Sequence, residues 1–146
     1  MDRPDVIGSE WLVAKHSQVT ATGAWRTEPI AGVRFRPTRP GRVRAGGLHQ
    51  RATDRLVVMK GLVSIVVFDG RNDSPTKGSL NEFKLSERNP GIIVVPPNLF
   101  HGWKNIGTDE AYIINMPTSP YDYEHPDALD LPYDSAAASS VVPWRW

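Results

Sequence analysis

The stretch from Asn89 to Asn105 constrains the fold of this chain more than any other, because it prescribes a turn, a strand, a second turn and a second strand in seventeen residues. Pro90-Gly91 is turn chemistry: proline holds φ near −65° and glycine accepts the positive φ of the return. Ile92 to Val95 is an unbroken β-branched run, which reads as a strand buried on both faces. Pro96-Pro97 then ends the ladder, since neither residue can donate a backbone hydrogen bond. Asn98 is among the few residues other than glycine at ease in the left-handed region. The strand that restarts afterwards places His101, Trp103 and Asn105 on one face by its period of two. A histidine delivered by a proline-rich turn to the start of a strand is a positioned histidine.

The spacing Gly91, Pro96, Asn98, His101, Asn105 resembles the second motif of the cupin barrels, Gly-x4-Pro-x-(Gly/Asn)-x2-His-x3-Asn. The first cupin motif lies upstream in altered form, with Gly41, Gly47 in place of the first histidine, His49, Asp54 in place of a glutamate, and Gly61. Two motifs in order imply an all-β fold of the cupin type, an antiparallel β-barrel also described as a double-stranded β-helix or jelly roll.

The rest of the chain reads as turns and short strands, in keeping with thirteen prolines and twelve glycines. Residues 1–31 carry weak signals, with Ser9 to Ala14 fitting either a short capped helix or an edge strand. From Gly32 the pattern sharpens. Val33 to Arg36 alternates, with Val33 and Phe35 expected inward and Arg34 and Arg36 outward. Arg42 to Arg44 resumes the strand, and Arg55 to Lys60 and Leu62 to Phe68 read as two strands hinged at Gly61. Asp69 to Gly78 is a loop dense in turn residues. Asn81 to Leu85 and Ala111 to Met116 are further strands, making about eight at the spacing of a sandwich or barrel. From Pro117 the chain reads as irregular. Ala136 to Ser140 reads as a link of low complexity, and the two final tryptophans, Trp144 and Trp146, are expected to dock on the body or on a second subunit.

At 146 residues the chain suits one domain with a single core. A net charge of +1 points to no polyanionic partner, and the absence of cysteine excludes disulfides and thiolate metal sites. The first residues lack a signal-peptide pattern and no apolar run suits a membrane span, so a cytoplasmic protein without a membrane partner is expected. Seven arginines lie from Arg34 to Arg55, with Asp54 the only acid among them. They fit a solvated face, or a few guanidinium forks gripping a diphosphate or carboxylate, with Arg51 and Arg55 closest in sequence to His49. Aromatic residues for base stacking are missing there apart from Phe35, which argues against nucleic acid.

His49 fits a hydrogen-bonded core residue or a general base, since an imidazole titrates near neutrality and can remove a carbon-bound proton. His101 carries the same two readings. His49, Asp54 and His101 also make up a two-histidine, one-carboxylate set suited to iron(II) or a similar ion. Tyr121, Tyr123 and Tyr133 lie in an acidic segment, where a phenol is either packing or a general acid facing a histidine base.

Taken together, the chain resembles the dTDP-4-dehydrorhamnose 3,5-epimerase family of cupins and its shorter relatives. The resemblance rests on Gly47-Leu-His49, the Ser-Pro-Thr of the Asp69 to Gly78 loop, Pro96-Pro-x-x-x-His-Gly102 and Pro117-Thr-x-x-Tyr121 with the following Glu124-His-Pro126. It implies isomerisation of a nucleotide-linked 4-keto-6-deoxysugar, with His49 as base, Tyr121 as acid and His101 lining the site, and with no metal or other cofactor. Arg51, Arg55, Trp103 and Asn105 join His101 as expected substrate-binding residues. Gly46 stands where the family has an arginine, and Asp54 or Arg55 where it has a lysine. The segment holding the family's histidine-orienting aspartate is shortened, leaving Asp54 and Asp134 as candidates. The rival readings are a metal-dependent oxygenase or lyase using His49, Asp54 and His101, and a sugar-binding cupin without catalysis. The expected organisation is an N-terminal segment 1–31 acting as a dimer arm, a barrel with its closing segment over 32–135, a tail over 136–146, and a homodimer.

Overall fold

The computed structural model describes residues 29–144 and Trp146, together with the backbone of Val13–Ala14. The expectations placed on Ser9 to Leu12 and on most of the segment 1–31 lie outside the described residues. The strands are β1 (Val13–Ala14), β2 (Arg34–Thr38), β3 (Val43–His49), β4 (Asp54–Lys60), β5 (Leu62–Phe68), β6 (Leu80–Ser86), β7 (Ile92–Val95), β8 (Phe100–Asn105), β9 (Ala111–Asn115) and β10 (Ala128–Asp130). One short helix, α1 (Ala136–Val141), follows them. The strands form two antiparallel sheets, ordered β1-β7-β4-β9-β2 and β10-β3-β8-β5-β6. This is the cupin jelly roll that the two motifs imply.

Alternation builds the core between the sheets. Leu56, Val58, Ile93, Val95, Ala111 and Ile113 face inward from one sheet, and Val63, Ile65, Val67, Phe83, Leu85 and Trp103 from the other. The hinge at Gly61 is a true corner between sheets: its φ is +87°, and a Cβ there would sit 2.8 Å from that of Ala111. β5 is apolar except for Ser64, which donates to Glu82 at 2.6 Å, and from Val63 to Phe68 both of its faces are covered. Val66 and Phe68 point away from the main core into a second cluster with Phe100, Ala138, Val142 and Trp144.

That second cluster corrects the reading of Ala136 to Ser140 as a link. Ser135 caps the helix, its side chain accepting from the Ala138 N–H at 3.0 Å. Ala138 is fully buried against the outer face of the β5–β8 sheet. Alanine is the best helix former and small enough to bring the helix close, so a low-complexity run is sufficient. Trp144 meets Phe68 edge to face, with ring centroids 6.3 Å apart, as the docking expectation required.

β2 runs in the opposite phase to the one its pattern suggests. Arg34, Arg36 and Thr38 pair with Asn115, Ile113 and Ala111, all of which face inward. Val33 and Phe35 are therefore outside, 65% and 55% exposed, with Phe35 against Tyr112 at 5.3 Å. β7 also departs from expectation: Ile93 and Val95 are buried, whereas Ile92 and Val94 are only half covered. The Asp69 to Gly78 loop is organised by one buried carboxylate. Asp69 accepts hydrogen bonds from Arg71, Ser74 and Thr76, and these, led by Arg71, hold it well below the usual carboxylate range despite burial.

Candidate active site

At one end of the jelly roll lies a cavity of about 540 Å³ whose walls include Arg34, Arg36, Arg44, His49, Asp54 and His101. Three local features aim these side chains inward. β3 carries a bulge between Ala45 and Gly47, where Gly46 has φ +94° and its carbonyl accepts from the Leu131 N–H at 2.8 Å. A Cβ at Gly46 would land on the Leu131 carbonyl, so glycine is required here. The extra residue re-phases the strand, so that Arg44 opposite Trp103 and Gly47 opposite His101 both face the cavity, and His49 with them. The second feature is the turn after β7: Asn98, at φ +64°, donates its N–H to the His49 carbonyl at 2.7 Å. Histidines of two different strands are thereby tied together, with ring centroids 6.1 Å apart.

The third feature is β10, in a region the sequence left irregular. It adds to β3 with Ala128 opposite His49 and Asp130 opposite Gly47. Asp127, just before it, accepts from the Ala52 N–H at 2.9 Å, the Arg51 N–H at 3.0 Å and Arg51 Nε at 3.1 Å. These bonds hold its carboxyl below the ordinary range although burial works the other way. Its Oδ2 stands 3.6 Å from His49 Nδ1, a charge contact too long for a hydrogen bond.

Asp54 joins the two histidines. Its Oδ2 is 3.1 Å from His49 Nε2 and 3.2 Å from His101 Nε2, and the residue is only 2% exposed. Burial alone would push this carboxyl up; the hydrogen bonds from His101 and His49 outweigh it and hold the group ionised. In return the bond to Asp54 raises the His49 pKa, against an opposing effect of burial. The ring of His101 is oriented by the Leu99 carbonyl, 3.3 Å from Nδ1. His49, Asp54 and His101 are also the described residues able to hold a metal, each offering one atom within 4.8 Å of the others. Asp54 Oδ1 has no hydrogen-bond partner among the described residues.

The same cavity is also cationic. Arg34 and Arg36 enter from β2, and Arg44 lies over Trp103, 5.9 Å from the ring centroid. Burial, with repulsion from Arg44 and Arg34, pushes Arg36 below its ordinary pKa. A bound anion would relieve that repulsion. Tyr121 and Tyr123 stand at the rim, edge to face at 4.7 Å, and Arg34 lies 5.4 Å from the Tyr121 ring. Asn115 also lines the cavity and buries an Oδ1 with no partner among the described residues.

The structure therefore brings His49, Asp54, His101, Trp103 and Tyr121 together, and places three other expected residues elsewhere. Arg51 is 69% exposed and pairs with Asp127. Arg55 is buried but alternates with Asp54 along β4, so it leaves the cavity side and reaches the Pro29 carbonyl at 3.4 Å. Asn105 is fully buried, and its amide closes a turn by donating to the carbonyls of Thr38 and Asp109 at 2.7 and 2.8 Å. Asp134 is exposed on the turn before α1 and is not among the carboxylates that contact His49. Residue reasoning missed Asp127 and the inward arginines. The Arg34-Phe35-Arg36 alternation was a signal for the latter, with its phase undetermined; no local spacing marks Asp127.

Comparison with known proteins agrees with this architecture. Residues 24–138 match the family model described as dTDP-4-dehydrorhamnose 3,5-epimerase. A probable low-salt glycan biosynthesis epimerase of Haloferax volcanii, Agl13, is 43% identical over 98 residues, covering 66% of this chain and 63% of that protein. The spore coat polysaccharide biosynthesis protein SpsL of Bacillus subtilis is 30% identical over 95 residues, covering 65% and 63%. The matches thus span less than two thirds of the length of either relative. Among solved structures, a dTDP sugar isomerase from Desulfovibrio desulfuricans G20 superposes with a TM-score of 0.82 at 22% identity, covering 96% of this chain and 92% of that one.

Proposed function

From its membership of the dTDP-4-dehydrorhamnose 3,5-epimerase family, to which this chain belongs, we propose that it isomerises a nucleotide-linked 4-keto-6-deoxysugar through an enolate. The observation that carries the proposal is a single cavity lined both by three arginines and by a histidine flanked by carboxylates. Arg34, Arg36 and Arg44 suit a diphosphate, which planar guanidinium forks bind through paired, charge-assisted hydrogen bonds. The sugar ring then falls toward His49, His101 and Tyr121.

Neutral His49 removes the proton from a carbon next to the C4 ketone. The C–H electron pair becomes the new C=C bond, and the carbonyl pair moves to oxygen. Charge on the enolate oxygen needs fixed polar partners, and His101 and Asn115 line the cavity in position to serve as such. Tyr121 returns a proton to the opposite face and so inverts the carbon. Asp54 holds the His49 ring, and its charge together with that of Asp127 stabilises the imidazolium formed on it. No metal enters this scheme.

The remaining expectations are part of the same proposal: a cytoplasmic enzyme, a barrel over 32–135 flanked by the segment 1–31 and the tail 136–146, and a homodimer. Exposure of Ile30, Val33, Phe35 and Met59 on the described surface supports a second subunit. Among the described residues no helix is long and apolar enough to cross a membrane.

The test is wash-in of solvent deuterium. Incubated in D₂O with dTDP- or UDP-linked 4-keto-6-deoxysugars, the protein should exchange protons at C3, C5 or both, as followed by proton NMR. His49→Ala should slow exchange by about 10²–10⁴-fold, the usual contribution of a general base. Tyr121→Phe should still exchange but deliver little epimer. A wild-type protein no faster than buffer on several such sugars would overturn the proposal.

A further inference from the structure

Three arginines line the cavity, and strand register sets one of them apart. Pairing puts Arg34 on a row with Asn115 and Leu56, and Arg36 on the next row with Ile113 and Val58. Leu56 lies two residues along β4 from Asp54 and Val58 lies four, so the Arg34 row is the nearer to the two histidines that Asp54 joins. The surroundings of Arg34 agree. Its guanidinium carbon stands 5.4 Å from the centre of the Tyr121 ring, and its charge opposes protonation of His49. Arg34, His49 and Tyr121 also line a second, smaller hollow beside the main cavity. Asp122 and Asp127 border that hollow, yet their carboxylates are engaged elsewhere. Asp122 accepts from the N–H groups of Glu124 and His125, and Asp127 from Ala52 and Arg51. Among the described residues no carboxylate pairs with Arg34.

We propose that Arg34 is the residue that binds the enolate oxygen, an assignment that rests on the proposed function and divides the three arginines by task. The proton goes to His49, the C–H pair becomes the C=C bond, and the carbonyl pair moves to oxygen. That oxygen sits on the carbon next to the one that His49 and Tyr121 act on, so a cation held beside both residues is placed to meet it. No other cation is as well placed, because Arg55 reaches away to the Pro29 carbonyl and Arg51 is exposed and paired with Asp127. A guanidinium brings full charge and several N–H donors to an oxyanion. It does not deprotonate in proteins, so it stabilises the enolate without handing over a proton, and the carbon takes its proton from Tyr121. Asn115, the cross-strand neighbour of Arg34, adds an amide to the same row. Arg36 and Arg44 remain for the diphosphate, which carries one charge on each phosphate. Repulsion between these two, only partly offset at Arg36 by Asp54, is relieved when that anion binds.

The test compares Arg34→Gln with Arg36→Gln in two assays, deuterium exchange on the ketosugars and calorimetric titration with dTDP and UDP. Arg34→Gln should lower the turnover of exchange about 10²–10³-fold, the usual effect of deleting one oxyanion donor, and change nucleotide affinity by less than about threefold. Arg36→Gln should weaken nucleotide binding by about tenfold or more, as loss of a charge-assisted bond does. Removing the Arg34 charge should also move the midpoint of the pH–rate profile upward, because that charge favours neutral His49. A purely structural role would leave the midpoint in place. Arg34→Lys keeps the charge, so it should hold the midpoint and lose less turnover than the glutamine variant. Arg34→Met, a second neutral variant, takes over should circular dichroism show that the glutamine form does not fold. An Arg34→Gln turnover within about threefold of the wild type, or a loss confined to nucleotide affinity, overturns the assignment while wild-type exchange upholds the function. A wild type no faster than buffer fails the function, and the assignment with it.

Discussion

His49 carries opposing demands, because a base must be neutral and its surroundings favour the cation. The bond to Asp54 and the charge of Asp127 raise its pKa, against burial and Arg34. The active, neutral form therefore becomes the major one at a higher pH than for an ordinary imidazole. The exchange rate should rise with pH to a midpoint above about 6.5, the ordinary imidazole value. Asp54→Asn removes the strongest stabiliser of the imidazolium, so its midpoint should fall below that of the wild type. A midpoint that stays put or climbs would show that Asp54 does not govern this histidine. Stability linked to the group follows the same sign: it is present below the pKa of the unfolded imidazole and is lost as pH rises through the folded value. Little of this was legible in the residues. His49 stood out by its motif, yet a motif does not say which carboxylates will face each ring nitrogen.

At the scale of elements, short pieces decide most. The single extra residue of the β3 bulge lets Arg44 and His49, five positions apart, share a face that strict alternation would deny to one of them. The three-residue β10 brings Asp127 to His49. α1 and the residues after it work on the other side of the same sheet. Trp144 is 8% exposed and packs with Phe68, Phe100 and Val66, away from the cavity. Trp144→Ala should cost about 3 kcal/mol, in the range for a large buried aromatic. For a chain of this length that lowers Tm by roughly 10 °C. Deuterium exchange below the transition should remain near the wild-type rate, because the site stands on the opposite face. A thermal melt unchanged by the substitution would mean that the tail does not stabilise the fold.

For the whole molecule, the outer face of the β2–β9 edge poses the main question. Val33, Phe35 and Met59 are large, apolar and exposed, and β2 is the terminal strand of its sheet. Edges of this kind invite pairing unless they are covered. Light scattering on the intact chain should give twice the monomer mass at micromolar concentration, and Phe35→Glu should shift it toward the monomer by placing a charge on the apolar face. A monomeric wild type would remove the dimer from the proposal and leave the exposed face without an explanation.

The fold class was legible because it rests on local rules. Turn residues, β-branched runs and two spaced histidine motifs each specify backbone over a few residues, and they agree along the chain. The meeting of His49, Asp54 and His101 was legible for the same reason, since both motifs place their residues near strand ends. Phase and distance were not. Arg34-Phe35-Arg36 alternates equally well in either sense, and only pairing with β9 turned the arginines inward. Arg55 and Asp54 are neighbours in sequence, and a strand sends neighbours to opposite faces. Asp127 reaches His49 across 78 residues of sequence, a closeness that no local pattern encodes and that the pairing of β10 with β3 alone produces.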